Sequence, residues 1–112
     1  MSTPLVSIVI PAKDEAGNLP ALLDEVDAAL IDIDYEVLVV DDASQDGTWA
    51  MLTRRATADS RLRPLHHDKS AGQSTCVWQA AREARGAWLA TLDGDGQNDP
   101  ADLPRLLERA QR

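Results

Sequence analysis

The stretch Trp88-Leu89-Ala90-Thr91-Leu92-Asp93-Gly94-Asp95-Gly96-Gln97-Asn98-Asp99-Pro100 is an apolar run that stops abruptly at carboxylates. The run reads as a buried strand and the acidic part as its exit loop. Asp93 and Asp95 flank Gly94, which lets the backbone turn tightly and aim both side chains at one point. Two carboxylates sharing a point repel unless a cation joins them. An oxygen-seeking divalent ion, Mg²⁺ or Mn²⁺, is commonly held by one or two carboxylates together with substrate phosphates, so the loop predicts a metal and a phosphorylated ligand together. Asp, Gly and Asn also build ordinary surface turns, which is the plainer reading of the same residues. An EF-hand calcium loop is excluded: counted from Asp93, the sixth position is Asn98 where glycine is needed, and the twelfth is Pro104 where glutamate is needed.

Upstream, the same pattern recurs. Leu5-Val6-Ser7-Ile8-Val9-Ile10 is a β-branched run of the kind covered on both faces in a parallel sheet, and Pro11 is expected to end it. After the loop Ala12 to Gly17, Asn18 is placed to cap a helix whose apolar stripe is Leu19, Leu22, Leu23, Val26 and Leu30. Tyr35 to Val40 forms a second strand that stops at Asp41 and Asp42, followed by a helix from Thr48 to about Ala58 with Trp49, Leu52 and Ala56 inward. Arg61 to His66 reads as a third strand, moved to an edge by Pro64, which cannot donate to a ladder. Lys69 to Gly72 leads into a third helix carrying Cys76, Val77, Ala80, Ala81 and Ala84 on one side, with Gly86 as its C-cap. After the strand Ala87 to Leu92, Asp99 caps a last helix. Pro100 lies in its first turn, Asp102 is placed for a capping box, and Leu103, Leu106 and Leu107 face inward.

The order β-α-β-α-β-α-β-α with short connections implies right-handed crossovers. The fold class is therefore α/β: an open, mostly parallel, Rossmann-like sheet with helices on both faces. A chain of 112 residues allows one domain with a modest core. With 44% hydrophobic and 27% charged residues it has the balance of a folded soluble protein rather than a disordered one. The net charge of −8 argues against nucleic acid as a partner, since a phosphate backbone requires a basic face. Cys76 is the only cysteine, which rules out a disulfide framework, argues against a thiolate metal site, predicts a reducing, cytoplasmic setting, and leaves Cys76 to fill a helix face. No segment is long and apolar enough to cross a bilayer, and Met1-Ser2-Thr3-Pro4 lacks the features of a signal peptide. Work on a membrane lipid would require something else to bring the protein to the cytoplasmic face.

In a parallel sheet all strand exits share one rim, so Asp14 and Glu15, Asp41 and Asp42, and Asp93 and Asp95 are expected to converge where ligands bind in open α/β sheets. Asp41 and Asp42 suit hydrogen bonds from ribose hydroxyls or a base, and Asp93 and Asp95 suit the metal. Asp14 reads as a cap or turn residue. Lys69 lies at the same rim and suits either a phosphate contact or plain solvation. His66 and His67 have no partner at metal spacing and read as structural. No glycine fingerprint follows the first strand and no Gly-Lys-Ser/Thr phosphate loop occurs, which removes the main support for NAD and ATPase readings. A phosphoacceptor receiver domain would need an isolated aspartate on a central strand and a late-strand lysine.

Three ordered motifs then carry a resemblance: Val6 to Glu15, Val39 to Thr48, and Leu92 to Pro100. Together they resemble family 2 glycosyltransferases of the GT-A fold, in particular the polyprenyl-phosphate sugar transferases of the dolichol-phosphate mannosyltransferase type. The resemblance implies a GDP- or UDP-sugar donor lying near Pro11, Ala12, Glu15 and Asp42. It also implies a DxD metal motif of Asp93 and Asp95 assisted by Gln97, and inverting transfer to a lipid phosphate. Asp41, Lys69 and Asp93 complete the expected substrate set. Lys13-Asp14 stands where a Tyr-Asn pair is common in the family. The family's domain continues past the last helix, so residues 1–112 read as one nucleotide-sugar-binding domain shortened at its C-terminus. The catalytic base is then expected beyond residue 112, and an open sheet edge is left that can pair with a second copy. The competing reading is a non-catalytic nucleotide-binding or assembly module.

Overall fold

The computed structural model describes residues 3–93 and 99–111. Its elements alternate as expected: β1 (Val6–Ala12), α1 (Leu19–Ala29), β2 (Tyr35–Asp42), α2 (Thr48–Ala58), β3 (Leu62–His67), α3 (Gln73–Glu83) and β4 (Trp88–Thr91). A short 3-10 turn (Pro100–Asp102) then leads into α4 (Leu103–Ala110). The strands form one four-stranded sheet in the order β3-β2-β1-β4, and every pairing is parallel. The chain builds outward from β1 through β2 to β3 and then returns to the other side of β1. The point of reversal therefore lies between β1 and β4, the position where open α/β sheets offer a crevice at the carboxyl ends of their strands.

The alternation of side chains in β1 and β2 explains the layers. Ile8, Ile10, Val37 and Val39 point to one face, where α1, α2 and α4 deliver Leu19, Leu22, Leu23, Val26, Leu52, Leu103 and Leu107. Val9, Leu38 and Val40 point to the other face and meet Cys76 and Ala80 of α3. Apolar strands buried on both faces are what a central parallel pair requires, and β1 and β2 have almost no exposed position.

Several local expectations are corrected. Pro11 does not end β1, which continues to Ala12, with Pro11 opposite Val40 in the register. Asn18 sits at the start of α1 without capping it; its amide donates to Glu15 Oε2 at 2.8 Å. The helix α3 ends at Glu83, and Gly86 is no C-cap. Gly86 instead lies against β1: its N–H donates to Ser7 Oγ at 2.8 Å, and a Cβ there would sit 2.6 Å from Ser7 N. Ala81 is exposed on the outer side of α3. Asp99 does cap the last helical segment by accepting from Ala101 N, whereas the Asp102 carboxylate pairs with Arg105 at 3.1 Å. Leu106 faces solvent, because α4 turns only Leu103 and Leu107 onto the sheet.

The largest difference concerns β4. The run is a strand, but not a buried one: Trp88 is 39% and Leu89 44% exposed, and Thr91 is open as well. It pairs with β1 alone among the described strands, which puts it at an edge. At the opposite edge lies β3, as Pro64 requires.

Candidate functional site

A cleft of about 540 Å³ opens at the carboxyl ends of β1, β2 and β4, lined by Pro11, Ala12, Lys13, Glu15, Asp42, Ser70, Gly72, Gln73, Cys76 and Asp93. Acids from three separate strand exits, Glu15, Asp42 and Asp93, thus share one cavity. Asp42 is carried there by the last residue of β2 and Asp93 by the segment after β4, which is anchored by Leu92 N donating to Val9 O at 2.9 Å.

Asp42 is the most fully engaged group of the site. Its Oδ1 accepts from Ala71 N at 2.7 Å and contacts His67 Nδ1 at 3.0 Å; its Oδ2 accepts from Ser70 Oγ at 2.9 Å and Gly72 N at 3.0 Å. Burial alone would raise its pKa, but the donors from Ala71, His67, Gly72 and Ser70 outweigh it and hold the carboxyl well below the usual range. The acid therefore folds the segment before α3 over the strand end, with Gly72 at φ 92° making the turn. Asp93 is half-buried and accepts from Gln73 Nε2 at 3.2 Å.

Not every expected residue reaches the cleft wall. Asp41 is fully buried behind it, accepting from Ser44 N at 3.2 Å and contacting His66 Nδ1 at 3.0 Å. Lys69 lines a neighbouring cavity with Ser44, Gln45, His66 and Asp68. Asp14 acts in a turn: in a left-handed conformation (φ 55°), it accepts from Gln45 N and Asp46 N, while Ser44 Oγ accepts from Asp14 N and Asp46 accepts from Ala16 N. The loops after β1 and β2 are thereby tied to each other from both sides. Asp95 and Gln97 lie outside the described residues.

Sequence reasoning missed Ser70, Gly72, Gln73 and Cys76 as cleft residues, and it missed the partners of the histidines. The register sets Asp41 beside His66 and Asp42 beside His67 across β2 and β3. The signal was present as an acidic pair and a histidine pair at successive strand exits, joined by strand pairing rather than by spacing along the chain. The His67 imidazole is raised above its ordinary value of 6.5, first by its contact with Gln79 Oε1 and then by Asp42.

An open parallel α/β domain with acids gathered at its switch point belongs to the class whose ligands bind in the crevice at the strand exits. Residues 7–112 match the family described as glycosyl transferase family 2, and the chain belongs to that family. It is 38% identical over 111 residues to undecaprenyl-phosphate 4-deoxy-4-formamido-L-arabinose transferase of Aeromonas hydrophila, an alignment covering 96% of this chain and 34% of the relative. It is similar in structure to the mannosyltransferase PcManGT of Pyrobaculum calidifontis in complex with GDP-Man and Mn²⁺ (TM-score 0.73, 28% identity, 84% of this chain and 28% of the other). A likeness in fold extends to glucosyl-3-phosphoglycerate synthase of Mycobacterium tuberculosis in complex with UDP (TM-score 0.72, 24% identity, 96% of this chain and 40% of the other). The chain spans about a third of the length of the curated relatives it matches.

Proposed function

We propose that this domain binds a nucleotide-diphospho-sugar and a divalent cation as the donor-binding part of an inverting glycosyltransferase that transfers the sugar to a polyprenyl phosphate at the cytoplasmic face of the membrane. One observation carries the reading: Glu15, Asp42 and Asp93, from three strand exits, line a single cleft at the point where the sheet reverses direction. The arabinose-transferase relatives name an undecaprenyl-phosphate acceptor, and the mannosyltransferase was solved with a GDP-sugar and Mn²⁺, which supports both the donor and the acceptor class.

In this reading Pro11, Ala12, Glu15 and Asp42 receive the base and ribose, and Asp41 acts from behind by fixing the turn after β2. Asp93, with Asp95 and Gln97, would hold Mg²⁺ or Mn²⁺. A half-buried carboxylate lining a polar cleft is a donor of the hard oxygen type these ions take. When bound, the ion supplies charge that offsets what develops on the leaving diphosphate. Lys69 lines the neighbouring cavity rather than the cleft, and in this reading its ammonium offers a phosphate contact from there. No group among the described residues is assigned as the base.

No described helix is long and apolar enough to cross a membrane. Calorimetry with GDP and UDP, with and without Mn²⁺, tests the donor reading; the expected result is nucleotide binding that strengthens with the metal. A folded sample that binds neither nucleotide would overturn it.

A further inference from the structure

At the inner wall of the cleft, three Lewis bases of different kinds converge: a carboxylate oxygen of Asp42, the imidazole of His67 and Cys76 Sγ, all within 4.8 Å of one another. The imidazole nitrogen is 3.0 Å from the carboxylate oxygen and 3.7 Å from the sulfur. A tetrahedral Zn²⁺ has bonds of about 2.0–2.3 Å to such atoms, which sets its ligands about 3.3–3.8 Å apart. The carboxylate–imidazole and imidazole–sulfur pairs are within a few tenths of an ångström of that spacing, and the carboxylate and the sulfur close on each other by up to about 1 Å when an ion draws them in.

The surroundings are those of ligands held in place from behind. His67 Nε2 faces Gln79 Oε1, an acceptor, so the hydrogen on that nitrogen leaves Nδ1 turned toward Asp42 and Cys76. Nδ1 donates its hydrogen to Asp42 Oδ1, so a cation entering the trio takes the place of a hydrogen already shared between two ligand atoms. Asp42 is fixed by the N–H groups of Ala71 and Gly72 and by Ser70. Cys76 is fully buried on α3 among Val9, Leu38 and Val40. Two of the three ligands, Asp42 and Cys76, also line the cleft, which supplies an open fourth position for water and a path of access.

We propose that Asp42, His67 and Cys76 form a binding site for a thiophilic divalent cation, Zn²⁺ being the natural occupant. Sulfur and imidazole select zinc over Mg²⁺ and Mn²⁺, so this donor set differs in chemistry from an all-oxygen one such as the Asp93 carboxylate would contribute. In the metal-free protein burial and then the charge of Asp42 push the thiol up to about 11. Binding therefore replaces the S–H bond by a Zn–S bond and the His67 Nδ1–H bond by a Zn–N bond, the displaced protons passing to solvent. Asp42 is common to this site and to the nucleotide reading, and the test uses metal alone, so the two can fail separately.

The test is titration of the reduced chain with Co²⁺ alone, followed by competition with Zn²⁺ against a chromophoric chelator. A thiolate-to-cobalt charge-transfer band that is bleached by one equivalent of Zn²⁺ is expected, with affinity lowered at least about tenfold in Cys76→Ser and in His67→Gln. Circular dichroism establishes that each variant is folded, and the wild-type spectrum gives the answer independently of both. Absence of the charge-transfer band, or zinc affinity unchanged in folded Cys76→Ser, overturns the assignment.

Discussion

At the end of β2 the acids are enclosed: Asp41 is fully buried and Asp42 is 6% exposed, and their oxygens are occupied by backbone N–H groups, a hydroxyl and two imidazoles. At the end of β4 the strand is open on one side, its Leu89 is 44% exposed, and Asp93 is half-buried beside Gln73. The two exits face the same cleft, yet one is part of the folded core and the other is added to its rim. A carboxylate can therefore face a site from two settings: held within the wall by its own donors, or half-open at the rim.

The sharpest way to break this contrast is through the strands themselves. Leu38→Ala, in the core between β2 and α3, is expected to cost about 3 kcal/mol, whereas Leu89→Ala on β4 costs under about 1 kcal/mol; urea denaturation of both variants measures the gap. Equal losses would mean that β4 is as buried as β2. The same comparison applies to the acids. Asp42→Ala strips the acceptor from Ala71 and Gly72 and is expected to cost about 2–3 kcal/mol. Asp93→Ala is expected to change stability by about 0.5 kcal/mol or less while removing the metal dependence of nucleotide binding, read by calorimetry.

A smaller effect is expected where the two sides meet. Gly86→Ala would place a methyl group 2.6 Å from the Ser7 backbone, and about 1–2 kcal/mol of destabilisation, seen as a lower denaturation midpoint, is the expected outcome. The smallest is a pH effect at the far end of β2. Burial would raise the Glu36 pKa, but hydrogen bonds from Ser7 Oγ, Arg85 N and Arg63 bring it below its ordinary value of 4.5. A lowered folded pKa means stability that is complete above the unfolded value and lost as pH falls through and below 4.5. Denaturation midpoints followed from pH 6 downward should fall less steeply in Glu36→Gln than in the parent chain.

Much of this was legible in the chain. The Val and Ile runs of β1 and β2 and the leucine spacing of α1 fixed the alternation, and Pro64 placed β3 at an edge, because each rests on local chemistry that sequence states directly. The convergence of Glu15, Asp42 and Asp93 followed from parallel topology alone. The exposure of β4 was not legible, since Trp88-Leu89-Ala90 looks the same on an uncovered edge as in a core. Gly86 was misread because a glycine needed for close approach to Ser7 carries the same letter as one that ends a helix. The Asp42-His67 pair was hidden because register across two strands, not separation along the chain, brings them together.

The reciprocal bonds between Asp14 and residues 44–46 make the loops after β1 and β2 a single stiff rim. Two loops that would otherwise sample positions independently lose that freedom once, when the protein folds. A molecule settling against them incurs no further ordering cost on that side, so each contact it makes there counts nearly in full toward its affinity.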